Sequence, residues 1–319
     1  MKFATLGHLM IKENIRDMPK DWIHDSWIYS PELNVKGTKG HITGLLLTAK
    51  EMMESPIEEI RQNILDLAVF IQDEFNVELI QLGALTTSVT SGGKWLADNT
   101  SFSGFVNHGD SYTAAVTCQG VMKSLKICHK VPSECTIAVI GAYGIIGEAI
   151  SKILVPQFNH SILIGRNRHK LKNLRENVKG DFETTTYLST RKADVILTAT
   201  SHPTALLSSA HLKENAIVVD VSQPPNLSYA ICQKRPDVFR VDGGFVDLPK
   251  QIPYQIPALP KGKIFSCVAE VIMQAFENEK KDHVGSIDLH HLKKTEEWAE
   301  KYGFTLHEMT NFGVPIKSD

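Results

Sequence analysis

A chain of 319 residues is long for a single hydrophobic core and predicts two domains, or one with large additions. Its side chains are 42% apolar and 22% charged, which excludes a disordered or fibrous chain. The 34 basic and 36 acidic residues leave a formal charge of -2, with no electrostatic footprint for nucleic acid. The five cysteines, Cys118, Cys128, Cys135, Cys232 and Cys267, make no CxxC pair and fit a reducing compartment. No apolar run approaches the roughly 18 residues of a spanning helix, and MKFATLGHLMIKEN holds no signal region; the expectation is a cytoplasmic protein with at most transient membrane contact.

In chain order, a strand-like start leads through a loop rich in Pro, Asp and Trp (19–35) to GHITGLLLTA, a candidate strand. From Pro56 to Phe75, Ile57, Ile60, Ile64, Leu67, Ala68 and Ile71 recur at helical spacing, with Pro56 suited to a first turn. VELIQLGALTTSV reads as a strand entering a small-residue loop that contains Thr86. Asp110 or Ser111 can cap a helix to about His129. Short β-rich runs then alternate with helical segments: TIAVIG, HSILIGR, ADVILTAT, NAIVVDVS and DVFRVDGG. Such alternation means a parallel sheet with crossover helices. A Pro-rich stretch (253–260), an apolar helix from about Lys263 to Glu277 and a polar one from about Asp288 to Tyr302 complete the chain. The expected architecture is α/β: a Rossmann-like doubly wound sheet over 112–246, an N-terminal substrate-binding domain over 1–111, and a C-terminal helical segment over 247–319 that adds to the substrate domain.

Gly141, Gly144 and Gly147 follow the strand TIAVI and open a helix. The first permits a tight turn, the second lets a pyrophosphate approach the backbone, and the third lets helix and strand pack closely. The spacing GxxGxxG departs from GxGxxG, but strand, glycine turn and helix follow in the order a dinucleotide site requires. An open sheet binds beyond the carboxyl ends of its strands. That places Gly141, Tyr143, Gly144, Ile145, Ile146 and Gly147 with Ala199, Thr200, Ser201, Val221, Ser222, Gln223 and Gly243. The second strand ends in ILIGRNRHK, without the carboxylate that would hold the ribose of NAD. Arg166, Asn167 and Arg168 stand there instead, a guanidinium fork and amide suited to a 2′-phosphate, so the expected cofactor is NADPH.

Hydride chemistry has no YxxxK pair here and no metal spacing: His290 and His291 are adjacent, and nothing resembles HExxH. By composition Cys267, in KGKIFSCVAEVIMQAF, is a small core residue. It also follows Pro260 and Gly262 closely enough to lie near the positive end of a helix dipole, where thiolate is favoured. Asp110, Ser111, Thr113, Thr86 and Gln223 are candidates for positioning substrate or nicotinamide. His108 is a candidate acid, and Glu270 either tunes the thiol or only solvates a helix end.

The chain resembles the long-chain fatty acyl-[acyl-carrier-protein] reductases, aldehyde-forming NADPH enzymes. The likeness runs through GHL (7–9), LGALTTS (82–88), HGDSYTA (108–114), the glycine bend, GRNRHKLKNL (165–174), VDVSQPPNL (219–227), DGGFV (242–246) and FSCVAEVI (265–272). It implies that Cys267 is the nucleophile, that its thiolate attacks a fatty acyl thioester of acyl carrier protein or coenzyme A, and that NADPH reduces the acyl-cysteine to an aldehyde. The chain departs from the family where NEKKDHVGSIDLH replaces an aromatic, Asn-rich segment, and where LLLTAK lacks a proline; both bear on substrate grip. Two other readings stand beside it. One is a shikimate-dehydrogenase-like or amino-acid-dehydrogenase-like oxidoreductase without a covalent intermediate; the other is an NADPH-binding regulator without turnover.

Overall fold

Two six-stranded sheets, one mixed and one all parallel, organise the chain in this computed structural model, which describes residues 1–202, 204–257 and 259–316. The chain divides into two compact units. The first takes Met1–Tyr112 and Val246–Thr305; the second takes Thr113–Phe245 and the residues from Leu306 onward. The C-terminal segment is shared between the units, dividing at Thr305. Its two helices belong to the first unit because their apolar faces are buried with that unit's residues.

The strands of the two large sheets are, in chain order, β1 (Phe3–Leu9), β2 (Trp27–Tyr29), β3 (Leu33–Val35), β4 (Thr38–Thr48), β5 (Leu79–Leu82), β6 (Phe105–Asn107), β7 (Thr136–Ile140), β8 (His160–Ile164), β9 (Phe182–Thr185), β10 (Val195–Thr198), β11 (Ile217–Asp220) and β12 (Phe239–Asp242). The helices that position the site are α1 (Ile57–Phe75), α2 (Asp110–Ile127), α3 (Ile145–Leu154), α4 (Arg168–Asn177), α5 (Ser266–Glu277) and α6 (Leu289–Tyr302).

In the first unit the order is β2-β4-β1-β5-β6, with β3 also on β4. β4, β1, β5 and β6 run parallel, while β2 and β3 pair antiparallel with β4. α1 buries the face its spacing predicted, with Ile60, Ile64, Leu67, Ala68 and Ile71 in the core. Each of these Ile and Leu side chains contributes roughly 1.5–3 kcal/mol of burial. Pro56 stands one residue earlier than expected, as the cap residue. The helix expected from Lys263 begins at Ser266, because Lys263–Phe265 is extended and pairs with Phe245–Asp247.

The second unit has the order β12-β11-β10-β7-β8-β9, with every pairing parallel. Counted within this unit the order is 6-5-4-1-2-3, the doubly wound dinucleotide-binding arrangement whose crevice opens where the order reverses, between β7 and β10. The expected Rossmann-like sheet is present. Five of its strands coincide with the apolar runs. The sixth, β9, is an edge strand with the sequence FETT, too polar to form such a run.

Candidate functional site

In the second unit, the carboxyl ends of β7, β10, β11 and β12 bring the glycine bend together with Ala199, Val221 and Gly243. Gly141 has φ +86, and a Cβ there would lie 2.2 Å from the Ala199 carbonyl; one on Gly147 would lie 2.1 Å from the Gly141 carbonyl. Only glycine closes this turn. Gly243 is less constrained: a Cβ there would meet a Val221 side-chain methyl at 2.5 Å and its backbone only at 3.2 Å. Gly144 is the cap residue of α3 and brings no side chain to cap it, so Ile145 and Ile146 begin a helix with no side-chain cap among the described residues, the kind of start that suits an anion.

The loops beside the bend are tied by hydroxyls. Ser222 Oγ accepts the Thr200 N–H at 3.1 Å and bonds Asn226 Oδ1 at 3.2 Å. Asn226 is fully buried, and its Nδ2 has no hydrogen-bond partner among the described residues. That orphan donor beside the crevice was not singled out in the sequence, because a lone Asn after two prolines looks like any turn residue. At the end of β8, Arg166, Asn167 and Arg168 are exposed. Asn167 caps α4 through Lys170 N–H, and its own N–H bonds the Tyr143 hydroxyl at 3.1 Å. The first turn of α4 carries no acidic residue. Glycine turn, open helix start, orphan amide and arginine pair together fit a phosphorylated dinucleotide. Ser201 and Gln223 lie on the same loops, and Gln223–Pro224 is a cis peptide.

In the first unit, β6 runs through Gly109, φ +70, into α2. Gly109 lies against Cys267, where a Cβ would come within 2.4 Å of the Cys267 carbonyl. The start of α2 is capped from three sides. Asn107 Oδ1 accepts the Gly109 N–H at 2.6 Å, His108 Nδ1 accepts the Asp110 N–H at 2.9 Å, and Glu270 Oε2 accepts the Tyr112 N–H at 2.7 Å. Neither Asp110 nor Ser111 is the cap the sequence suggested; Asp110 is the first helical residue, and its own N–H is the group being capped. Because His108 Nδ1 accepts, its proton lies on Nε2, which faces the Gly285 backbone, and burial lowers the ring to about 4. Both ring nitrogens are thus engaged by the backbone.

Cys267 is the second residue of α5, closer to the helix start than a helix from Lys263 implied, but the helix end does not make it a thiolate. Although the residue keeps some exposed surface, burial pushes its thiol up to about 12, with Asp110 and Glu270 adding to the shift. Desolvation and the two neighbouring carboxyl groups outweigh the nearby backbone N–H donors. Burial, then the neighbouring Glu270, raises the Asp110 carboxyl well above the usual carboxylate range. Glu270 is fully buried and does not solvate a helix end. Burial works against its charge, but bonds from His291 Nε2 at 3.1 Å and from Tyr112, with the nearby His108, hold its carboxyl below the ordinary value. Thr86 donates its hydroxyl proton to backbone carbonyls at Leu6 and Gly83, while Ser111 and Thr113 are buried in α2.

The fold also assembles Glu279, His283 and His291, whose ligand atoms lie within 4.8 Å of one another although sequence spacing shows no such group. The two rings are stacked, centroids 3.5 Å apart and 10° between planes. A ring nitrogen binds a metal in its own plane, so parallel rings do not converge on one ion. Glu279 is already held by Lys294 at 2.6 Å. The group is a stacked histidine pair bracketed by two carboxylates, Glu279 and Glu270.

Residues 125–243 match the family model described as Shikimate / quinate 5-dehydrogenase. The chain is 23% identical over 289 residues to the aminotransferase PigE of Serratia sp., covering 87% of this chain and 33% of that protein. It is 28% identical over 177 residues to the long-chain acyl-[acyl-carrier-protein] reductase of Synechococcus elongatus, covering 53% of this chain and 51% of that one. The chain thus spans between a third and about half of these relatives. Among solved structures, L-tryptophan dehydrogenase from Nostoc punctiforme aligns over 75% of this chain and 69% of its own, at 10% identity and a TM-score of 0.39. The nucleotide-binding domain of glutamyl-tRNA reductase from Thermoplasma volcanium aligns over 40% and 84%, at 20% identity and 0.31. By its strand order and the matched segment, the second unit is a dinucleotide-binding fold of the oxidoreductase type. No helix among the described residues is long and apolar enough to cross a membrane.

Proposed function

We propose that the protein reduces a fatty acyl thioester, carried by acyl carrier protein or coenzyme A, to an aldehyde through an acyl group on Cys267. The observation that carries this reading is the setting of Cys267. It lies at a helix start, pressed against a glycine that no other residue could replace, beside an acidic group held far above its ordinary range. A thiol at about 12 needs a base to attack. Asp110 meets that need: as carboxylate it is an unusually strong base, and it takes the thiol proton as sulfur attacks the acyl carbon. The carbon–sulfur bond to the carrier breaks, and the departing carrier thiolate receives that proton. NADPH, when bound, supplies the hydride that turns the acyl-cysteine into aldehyde, and the Cys267 sulfur leaves with a solvent proton as thiol. Gly141, Gly144, Gly147 and the open start of α3 hold the pyrophosphate in this reading, with Arg166 and Arg168 on the 2′-phosphate.

The likeness of 28% to an acyl-[acyl-carrier-protein] reductase supports this chemistry. The family match over 125–243 and the protonated thiol favour a second reading, hydride transfer without a covalent intermediate. Intact mass after incubation with an acyl thioester, without NADPH, separates the two. An acyl adduct that disappears in Cys267→Ala supports the first. Product formation with Cys267→Ala intact in rate establishes the second, and dinucleotide binding with no turnover on thioesters, aldehydes or hydroxy acids leaves a regulator.

A further inference from the structure

We propose that Glu270 is a positioning residue for Cys267: its buried carboxylate caps the start of α2 from another helix, and His291 holds it there. The inference rests on the reading of Cys267 as nucleophile.

Glu270 lies one helical turn beyond Cys267 on α5, and neither of its oxygens reaches solvent. Oε2 takes the Tyr112 N–H at 2.7 Å; Oε1 takes Asn107 Nδ2 at 3.2 Å and His291 Nε2 at 3.1 Å. These bonds join α5, β6, α2 and α6 at one carboxylate. Helix starts are normally capped by the residue just before them. Here the cap comes from 158 residues away and belongs to the helix that carries the cysteine. Moving Glu270 therefore moves Gly109 and Asp110 relative to the sulfur. Asn107 is steadied by Gln274, which accepts its amide at 2.7 Å. His291 is steadied by its stack on His283, itself bonded to Glu279 at 3.0 Å. The charged and titratable groups facing Glu270 are Cys267 on its own helix, His108 and Asp110 at the start of α2, His283 on the loop between α5 and α6, and His291 on α6. Glu279 and Lys294 stand behind the stack.

The test is the pH profile of Cys267 alkylation by iodoacetamide in the whole chain. Peptide masses separate it from the four other cysteines. Hydrogen exchange at the Tyr112 amide and turnover with NADPH and an acyl thioester are read alongside. Glu270→Gln removes a negative charge beside the sulfur and moves the profile down by about one pH unit, a roughly tenfold faster alkylation at a fixed pH below it. Glu270→Ala moves the profile likewise but loses the acceptor; its Tyr112 amide exchanges faster, and its turnover falls at least about tenfold below that of Glu270→Gln. An unmoved profile in Glu270→Gln, or equal exchange in Gln and Ala, overturns the proposal. Circular dichroism checks folding. If the Glu270 variants do not fold, His291→Gln, which keeps an N–H donor, and His291→Leu, which does not, carry the comparison: faster Tyr112 exchange in Leu supports it, and equal exchange overturns it. Absence of turnover in the unaltered protein counts against the proposed reaction alone, since alkylation and exchange still decide the role of Glu270.

Discussion

The two units use the same local device for opposite ends. In each, a parallel strand ends in a glycine with positive φ and turns into a helix: β6, Gly109 and α2 in one, β7, Gly141 and α3 in the other. In the second unit, among the described residues, no side chain caps the helix start and the Asn226 amide is an orphan donor. In the first, the protein fills the equivalent place with its own Asn107, His108 and Glu270. The difference teaches that a strand–glycine–helix turn is not by itself an anion site. What decides is whether distant side chains already occupy the N–H groups.

The sharpest way to break the comparison is at the cysteine. Cys267→Ser should abolish the acyl adduct and turnover while leaving NADPH binding, followed by nucleotide fluorescence, unchanged; retained turnover would remove the reacting centre from the first unit. Next comes acid. His108 has a folded value of about 4, below its ordinary 6.5, so the stability it contributes is present above about 6.5 and is lost as pH falls through 4. The full loss is on the order of 3 kcal/mol. Urea midpoints between pH 7 and 4 measure it, and His108→Gln should flatten that slope. In the second unit, Gly147→Ala presses a methyl on the Gly141 carbonyl and should cost about 1–3 kcal/mol in urea unfolding together with weaker dinucleotide binding. The smallest effect tests the arginines. Exchanging Arg166 and Arg168 for Ala should weaken NADPH about tenfold more than NADH, each lost charged contact being worth roughly 1.5–3 kcal/mol before solvent screening of these exposed side chains. Equal losses for the two nucleotides would end the 2′-phosphate assignment.

The second unit was legible because its signals are local. TIAVI followed by Gly141, Gly144 and Gly147 needs only neighbours in sequence to be read, and β7 and α3 form where they were expected. The strand β9 was hidden by its polarity. The first unit was legible in α1, whose apolar spacing states its buried face, but not in its site. Cys267 was expected near a helix start, and it is there. Its ionisation was read the wrong way, since the dipole is visible in sequence while the carboxylates Asp110 and Glu270 arrive from tertiary packing.

The sequence alone determined the glycine bend, the arginine turn and the periodicity of the helices, because these depend on residues a few positions apart. Only the tertiary structure decided that Glu270 caps a helix 158 residues away, that His283 and His291 stack, and that the thiol stays protonated. Desolvation and charge depend on what surrounds an atom in space, and no pattern along the chain records that.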